Sequence, residues 1–427
     1  MLRTIRECLF MKVFGLASCL IGLSYYSAAG AADWPQWRGP NRDGKSSETG
    51  LAKKWPQGGP KLLWSIEGLG TGFSTVSIAD GLLYTTGMIG KEGILFAIDL
   101  QGNLKWKKSY GAEWRGAHPG VRTTPTIDGD RVYVMSGQGR VVSFDAKTGE
   151  ENWAVDTLKR FDGKNITWGI SESVLIDRDN LICTPGGKDA TIVALNKMTG
   201  ETVWTSKGLS ENPCYSSLIL VEKGGNRLVV TMTENFVVGV DADTGKVLWL
   251  DKFEEYQKEP KPINPVTPVY YNGCVYATSG YDNGGAMLEL SEDGSKVSRK
   301  WVDTTLDCHH GGVVVVDGYI YGANWKSNKS GNWVCLDWDS GKVMYEKEWI
   351  CKGSITYADG MLYCYEEKKG TVALVKASPD GFDVISSFEV SKGTGEHWAH
   401  PVVCGGRLYI RHGDTLMVYD VGAERSE

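Results

Sequence analysis

The sequence is short of the features that mark several large classes of protein. It has only 14 Pro in 427 residues, too few for a Pro-rich disordered chain. It has no Lys/Arg-rich run, so nucleic acid is not an expected partner. It also has no Cys-x-x-Cys pair, so a zinc ribbon and a c-type haem attachment lack their signatures. Beyond residue 32, no apolar run is long enough to span a bilayer.

The N-terminus has the pattern of a secretory signal. Residues 1–12 are basic on balance, residues 13–32 carry no charge, and Ala-Gly-Ala at 29–31 is a small-x-small cleavage site. Residues 16–19 (Leu-Ala-Ser-Cys) resemble a bacterial lipobox, which makes a lipid anchor at Cys19 the alternative. We therefore predict a signal peptide over residues 1–32 and a periplasmic or secreted protein. Contact with a membrane is expected only through such an anchor.

What the sequence has in excess is Gly (54) and Trp (16), and both recur within one phrase. The phrase is an apolar residue, Asp, a turn ending in Gly, and Trp, as in Asp241, Gly245 and Trp249. The Asp position falls at residues 99, 145, 196, 241, 291, 337, 376 and 420. Such intervals match the period of a propeller blade. Strand-like runs before each phrase give four strands, A to D, per repeat.

The eighth repeat lacks its last strand, and the other end of the chain supplies one. Residues 61–64 (KLLW) match residues 246–249 (KVLW) at all but one position. We predict an all-β fold, an eight-bladed β-propeller of four-stranded antiparallel blades closed by this N-terminal strand. The predicted boundaries are a signal peptide at 1–32, an N-terminal extension at 33–59, the propeller at 60–421 and a tail at 422–427.

The repeated residues are expected to serve the fold. A large indole on strand D can fill the wedge between two blades. The Asp carboxylate and the Gly suit the tight turn between strands C and D.

The phrase Ala-x-Asp-x-x-Thr-Gly-x-x-x-Trp resembles the repeat of pyrroloquinoline quinone (PQQ) propellers, with its tryptophan docking motif, over residues 61–421. Residues 33–44 (DWPQWRGPNRDG) resemble the mature start of exported PQQ-like propellers of planctomycete-type bacteria. The resemblance implies one of two functions. One branch comprises quinoprotein alcohol dehydrogenases, which hold PQQ and calcium in the funnel. The other comprises non-enzymatic, BamB-like propellers of outer-membrane barrel assembly.

Propeller topology places the variable segments on one face. The A–B and C–D turns lie on the bottom, whereas the B–C turns and D–A crossovers lie on the top, where loops carry function. All six His fall in top-face segments. The residue at the start of strand A, the inner strand of each blade, is predicted to face a central funnel. These residues are Phe73, Arg122, Glu172, Tyr215, Pro265, His310, Lys352 and Trp398. Their neighbours include Arg115, His118, Trp168, Asn264, Asp307, His309, His397 and His400.

Two chemistries could use this funnel. Bound PQQ needs cations, a flat side chain, oxygen ligands for calcium and a carboxylate base. The residues predicted for it are Arg122 and Lys352 as cations, Trp168, Tyr215 and Trp398 as walls, Glu172 and Asn264 as calcium ligands, and Asp307 as the base. A zinc or copper site would instead use His309, His310, His397 and His400.

The third use is protein binding, with exposed top-face Trp side chains as anchors. The vicinal Cys-Cys pair of the quinoprotein dehydrogenases is absent from this sequence. We therefore expect a monomeric, BamB-like binding or scaffolding module without a catalytic site or cofactor. Its partner would be an envelope protein or a small molecule at the top face. A quinoprotein alcohol or sugar dehydrogenase with PQQ and calcium is the alternative.

Eight Cys follow the signal peptide, and an exported protein can oxidise them. Their pairing is not fixed by the sequence, but Cys308 and Cys351 lie on adjacent crossovers and are the first pair expected.

Overall fold

The computed structural model describes residues 33–252 and 263–423, and the predicted signal peptide with Cys19 lies outside the described residues. The first two strands of the described residues belong to late blades: β1 (Lys45–Ser46) and β2 (Leu62–Ile66). Blade 1 contains β3 (Ser77–Ala79), β4 (Leu82–Ile89), β5 (Glu92–Asp99) and β6 (Leu104–Ala112). Blade 2 contains β7 (Thr126–Asp128), β8 (Arg131–Met135), β9 (Arg140–Asp145) and β10 (Glu151–Asp156), followed by the single helical turn α1 (Thr157–Arg160).

The next three blades repeat the pattern. Blade 3 contains β11 (Leu175–Asp177), β12 (Asn180–Cys183), β13 (Val193–Asn196) and β14 (Thr202–Thr205). Blade 4 contains β15 (Ile219–Lys223), β16 (Asn226–Met232), β17 (Phe236–Asp241) and β18 (Val247–Lys252). Blade 5 contains β19 (Val269–Tyr271), β20 (Cys274–Thr278), β21 (Gly285–Leu290) and β22 (Val297–Asp303).

The last three blades complete the ring. Blade 6 contains β23 (Cys308–Val316), β24 (Tyr319–Asn324), β25 (Trp333–Asp337) and β26 (Val343–Lys347). Blade 7 contains β27 (Gly353–Ala358), β28 (Met361–Glu366), β29 (Thr371–Lys376) and β30 (Val384–Glu389). Blade 8 contains β31 (Val402–Cys404), β32 (Arg407–His412) and β33 (Thr415–Asp420), with β2 as its outer strand.

The eight-bladed, four-stranded architecture predicted from the repeat is confirmed. Each blade is an antiparallel meander, and β2 pairs with β33 so that Trp64 lies opposite Val418. The N-terminal strand therefore closes the ring. Closure leaves only short strand edges, which protects the sheets from pairing with other chains.

The recurring Trp side chains join neighbouring blades, as predicted. Each indole Nε1 donates a hydrogen bond to a backbone carbonyl at the C–D turn of the next blade. The pairs are Trp64 to Leu100 (3.0 Å), Trp106 to Ala146 (3.2 Å), Trp153 to Lys197 (3.0 Å), Trp204 to Ala242 (3.1 Å), Trp249 to Gly294 (3.1 Å) and Trp301 to Trp338 (3.2 Å).

The turn chemistry explains why Gly recurs beside each Trp. Gly245 has φ of +73°, and a side chain there would overlap the ring of Trp204. In the same turn, the Asp241 carboxylate accepts hydrogen bonds from the backbone N–H (2.8 Å) and hydroxyl (2.6 Å) of Thr244. The repeated phrase is thus a docking surface for the neighbouring blade.

The N-terminal extension fills the centre of the ring, which the sequence did not predict. Its residues hydrogen-bond to all eight blades. The contacts run from Trp34 to Ile78, Pro35 to Ile127, Arg42 to Ser173 and Leu218, Trp37 to Thr267, Arg38 to Val313, Gly44 to Tyr357 and Glu48 to Gly406. Strand β1 adds to the inner edge of blade 7 in parallel with β27. We call residues 33–48 the plug.

The expected pairing of Cys308 with Cys351 is wrong. Both are buried free thiols, and each donates a hydrogen bond to a different carbonyl, Gly312 for Cys308 and Lys329 for Cys351, both at 3.4 Å. No helix within the described residues is long and apolar enough to cross a membrane.

Candidate functional site

A cavity of about 300 Å³ occupies the funnel on the top face. Its walls are largely aromatic: Trp37, Phe73, Trp168, Tyr215, Tyr281 and Trp398. Its polar side chains include His118, Arg122, Ser171, Ser173, Ser217, Thr267, His309, His310, Asn328, Glu367 and His400. Because Trp37 belongs to the plug, the extension closes the lower end of the cavity. An apolar pocket with a few convergent polar groups is typical of a ligand site.

Most of the residues predicted at the starts of the inner strands do line the cavity. Six of the eight predicted positions line the cavity: Phe73, Arg122, Tyr215, Pro265, His310 and Trp398. The predicted neighbours Trp168, His118, His309 and His400 line it too. The other two positions, Glu172 and Lys352, are almost fully buried in the protein, each 1% exposed, and do not reach the cavity.

One wall of the cavity combines aromatic faces with a fixed positive charge. The ring of Phe73 lies 4.9 Å from that of Trp398, centroid to centroid, and the Arg122 guanidinium carbon is 5.6 Å from the Phe73 centroid. Arg122 also donates to the carbonyl of Gly120 at 2.9 Å. Burial lowers the pKa of Arg122 to about 10, so it remains charged at neutral pH. Opposite charge on a ligand would therefore be favoured here.

The side chains predicted to hold calcium or act as a base lie outside the cavity lining and bond to nearby backbone groups, although Glu172 Oε1 has no hydrogen-bond partner among the described residues. Glu172 accepts a hydrogen bond from the Thr184 N–H (2.9 Å), Asn264 donates to Thr233 O (2.7 Å) and accepts from Ser279 Oγ (2.7 Å), and Asp307 accepts from the N–H groups of Asp282 and Gly284 (2.7 Å each). These side chains hold top-face turns in place, and none of them lines the cavity. Burial raises the pKa of Glu172 to about 8 and that of Asp307 to about 6.

Two adjacent histidines and a glutamate form the densest polar cluster of the cavity. His309 and His310 lie in β23, with ring centroids 4.3 Å apart. His310 Nε2 is 3.5 Å from Glu367 Oε1, and the other oxygen of Glu367 is 2.9 Å from Lys352 Nζ. Burial lowers the pKa of both imidazoles, that of His310 to about 3, so they are neutral at pH 7. Burial raises the pKa of Glu367 to about 7, against the opposing effect of Lys352.

The other two predicted metal ligands do not extend this cluster. His400 uses Nε2 to contact the backbone carbonyl of His310 at 2.9 Å, and its ring lies 4.4 Å from Trp37. His397 lies outside the cavity lining. Its Nδ1 is 2.6 Å from the Tyr365 hydroxyl, and its ring stacks on His412 at 3.8 Å.

Reasoning from the inner strands missed Trp37, Tyr281 and Glu367. Trp37 lies in the extension, and Glu367 lies in the B–C turn of blade 7, whereas the predicted set came from the starts of strand A. One signal was available for the plug. Residues 33–44 contain two Trp, which is unusual for an exposed linker. Trp34 is indeed buried, at 2% exposure.

Comparison with known proteins identifies the family. The family model described as outer membrane protein assembly factor BamB matches residues 53–182 and 91–378. The chain belongs to this family. BamB from Moranella endobia is 23% identical over 288 residues, which cover 63% of this chain and 68% of that one. The PQQ-type, BamB-like resemblance seen in the repeat is thereby confirmed.

Members of the dehydrogenase branch are similar as well. The quinoprotein ethanol dehydrogenase of Pseudomonas aeruginosa is 26% identical over 162 residues, which cover 35% of this chain. The matched segment spans only 25% of that enzyme's length. A BamB-type propeller thus shares part of its sequence with PQQ enzymes, and this similarity alone does not choose between the two functions.

Solved structures agree on the fold. BamB from Moraxella catarrhalis superposes with a TM-score of 0.62 at 16% identity and covers 84% of this chain and 99% of its own. The quinohemoprotein alcohol dehydrogenase of Comamonas testosteroni gives 0.67 at 14% identity, covering 92% of this chain and 81% of its own. At these identities the likeness concerns the propeller fold alone.

The residues present do not fit PQQ with calcium. Of the two predicted cations, Arg122 borders the cavity, whereas Lys352 is buried against Glu367. The predicted calcium ligands Glu172 and Asn264 are held by the turns they bond. Calcium takes six to eight oxygen ligands, and neither of its two predicted ligands lines the cavity.

Proposed function

We propose that the protein is a binding module of the cell envelope that captures its partner in the top-face cavity. The observation that carries the proposal is a deep aromatic cavity, closed below by the plug and bordered by one fixed cation, Arg122. A flat apolar group bearing a negative charge suits both features. Such a group can belong to a free small molecule or project from an envelope protein.

The anchoring side chains are expected to be Trp398 and Trp168, which stand on different sides of the cavity. Trp398 packs against Phe73, and Trp168 lies 5.6 Å from Tyr215, centroid to centroid. Buried aromatic and Arg side chains dominate the energy of most binding sites. The top-face Trp333 is different, because it is only 1% exposed and stacks on Phe382.

The test uses residues 33–427 immobilised and exposed to envelope extract, with crosslinking and mass spectrometry. We expect one partner to be retained by the wild type and lost with Trp398→Ala and Arg122→Gln. A matched control is Trp338→Phe, which alters a buried Trp at a C–D turn that does not line the cavity. If Trp398→Ala and Arg122→Gln retain the same partners as the wild type, the proposal is wrong.

The small-molecule form of the proposal is tested with naphthoate, a flat aromatic carboxylate, by ligand-observed NMR. Loss of its signal transfer in Trp398→Ala would support binding in the cavity. Transfer that is equal in the wild type and Trp398→Ala would contradict it.

The alternative function is a quinoprotein dehydrogenase, and the similarity to ethanol dehydrogenases favours testing it. The purified chain is mixed with PQQ and Ca²⁺, and dye reduction is followed with primary alcohols and sugars. We expect no turnover. Activity that disappears in Glu172→Ala and Asp307→Ala would replace our proposal with this alternative.

Export is part of the proposal. Cells that produce the full chain should hold it in the envelope fraction, and removal of residues 2–32 should leave it in the cytoplasm. Substitution of Cys19 by Ala separates the two forms of export, because it abolishes lipidation while leaving a cleavable signal intact.

A further inference from the structure

We infer that His309, His310 and Glu367 form a binding site for a divalent first-row transition metal ion that opens into the top-face cavity. This site goes beyond the proposed function, because it does not depend on the identity of the partner or organic ligand. It also differs from the metal site predicted from the sequence, which combined four histidines and no carboxylate.

The three side chains lie close enough together to share one metal ion after small side-chain movements. One ring nitrogen from each histidine and a carboxylate oxygen of Glu367 lie within 4.8 Å of one another. His310 Nε2 and Glu367 Oε1 are 3.5 Å apart. Two ligand atoms held about 2.0–2.1 Å from a tetrahedral Zn²⁺ lie about 3.4 Å apart. The ion would thus fit between this pair with almost no movement.

One ring nitrogen of each histidine lacks a hydrogen-bond partner in the described part of the chain. His309 Nδ1 and His310 Nε2 are buried, and neither has a hydrogen-bond partner among the described residues. A buried polar atom without a partner costs about 1–3 kcal/mol. A metal ion accepts both lone pairs and removes that cost.

Neighbouring groups hold the ligands in position. His309 Nε2 is 2.8 Å from the Tyr281 hydroxyl, an arrangement in which Nε2–H donates and Nδ1 keeps its lone pair for a metal. Lys352 Nζ holds Glu367 Oε2 at 2.9 Å and leaves Oε1 toward His310. Hydrogen bonds from neighbouring groups to the ligands orient those ligands in most protein metal sites.

The ligand types define the class of metal. Two neutral imidazoles and one carboxylate suit zinc and its first-row neighbours, whereas calcium prefers a shell made entirely of oxygen. Three protein ligands leave at least one coordination position. All three residues line the cavity, so that position faces the space where a ligand would enter.

The test titrates chelator-treated protein, residues 33–427, with Co²⁺ and then with Zn²⁺. We expect one Co²⁺ per chain with visible absorption bands, displaced by Zn²⁺. His309→Phe and His310→Phe should each weaken binding at least tenfold. The matched control is His397→Phe, which makes the same substitution outside the cavity and should bind Co²⁺ as the wild type does.

Thermal melts establish whether the variants fold. If His309→Phe or His310→Phe does not fold, Tyr281→Phe and Glu367→Gln replace it, because both keep the size of the original side chain. Binding by these variants that is at least several-fold weaker supports the site. Absence of stoichiometric Co²⁺ in the wild type, or equal affinity in the wild type and the cluster variants, overturns the inference. Either result leaves the Trp398 test of partner binding unaffected, because that test measures retention of a partner and not binding of a metal ion.

Discussion

Replacement of Arg42 by Met should loosen the plug where it contacts blades 3 and 4. Arg42 is 2% exposed, and its guanidinium donates to the carbonyls of Ser173 (2.9 Å), Leu218 (3.0 Å) and Val174 and to the side-chain oxygen of Gln36 (2.9 Å). Methionine fills much of the same volume but removes the Arg42 bonds to all three carbonyls, of which, within the described residues, Val174 alone keeps a second donor, the Thr126 hydroxyl (2.8 Å).

The expected loss follows from the number of bonds and the burial of the charge. A hydrogen bond to a charged group contributes about 1.5–3 kcal/mol, so the three carbonyl bonds give a gross value of roughly 5–9 kcal/mol. Burial lowers the pKa of Arg42 to about 10, which shows that desolvation offsets part of this gain. Removal of one partner from a buried charged network costs about 3–5 kcal/mol, and we expect a net loss near the lower value.

The assay combines denaturant unfolding with hydrogen exchange on peptides that cover residues 33–48. The matched control is Arg178→Met, because Arg178 has nearly the same φ (53° against 56°) but forms only an exposed ion pair with Asp243. Exposed pairs contribute about 0–1 kcal/mol. The reasoning is refuted if Arg42→Met unfolds like Arg178→Met and leaves exchange in the plug unchanged.

Three further predictions concern the blades. Trp204→Ala should lower the free energy of unfolding in urea by about 3–5 kcal/mol. Trp204→Phe should lower it by clearly less, because the Phe variant loses mainly the hydrogen bond to Ala242. Equal losses in the two variants would contradict the docking role of Trp204. Burial raises the pKa of Glu172 from 4.5 to about 8, so between these pH values the folded protein keeps a proton on Glu172 that the unfolded chain releases. The contribution of Glu172 therefore lowers the stability of the fold as the pH rises from 4.5 to about 8. The melting temperature of Glu172→Gln relative to wild type should therefore be higher at pH 8 than at pH 5, and a pH-independent difference would refute the assignment. Cys308 and Cys351 are buried thiols, so a thiol reagent added without reductant should label both after unfolding and neither before, as read by peptide mapping. A linked Cys308–Cys351 peptide would contradict this assignment.

The fold could be predicted because its determinants are local and repeat. Trp204 contacts Gly245 in the next blade, and Trp contacts Gly in the same way at most other blade junctions. A single repeat of the sequence therefore contains both residue types that form a junction. The sequence also predicted which loops lie on the top face, because the order of the strands in a blade fixes which turns lie at the same edge of its sheet. Ten of the expected funnel residues line the cavity for that reason.

The site could be predicted only in part, because the sequence shows where a side chain starts but not what it bonds. Asn264 and Asp307 stand at the expected ends of inner strands, yet backbone groups of neighbouring turns hold their polar atoms. Glu367 approaches His310 from a B–C turn, whereas the predicted residues came from the starts of the inner strands.

The sequence by itself determined the blade, the number of blades and the closing strand, because each depends on contacts between adjacent repeats with a fixed spacing. Only the tertiary structure decided that the plug fills the ring and that Glu367 meets His309 and His310. Those contacts join residues such as Arg38 and Val313, which are 275 positions apart. Such pairs follow from the closed ring, which brings all eight inner edges around one axis, and no local pattern specifies them.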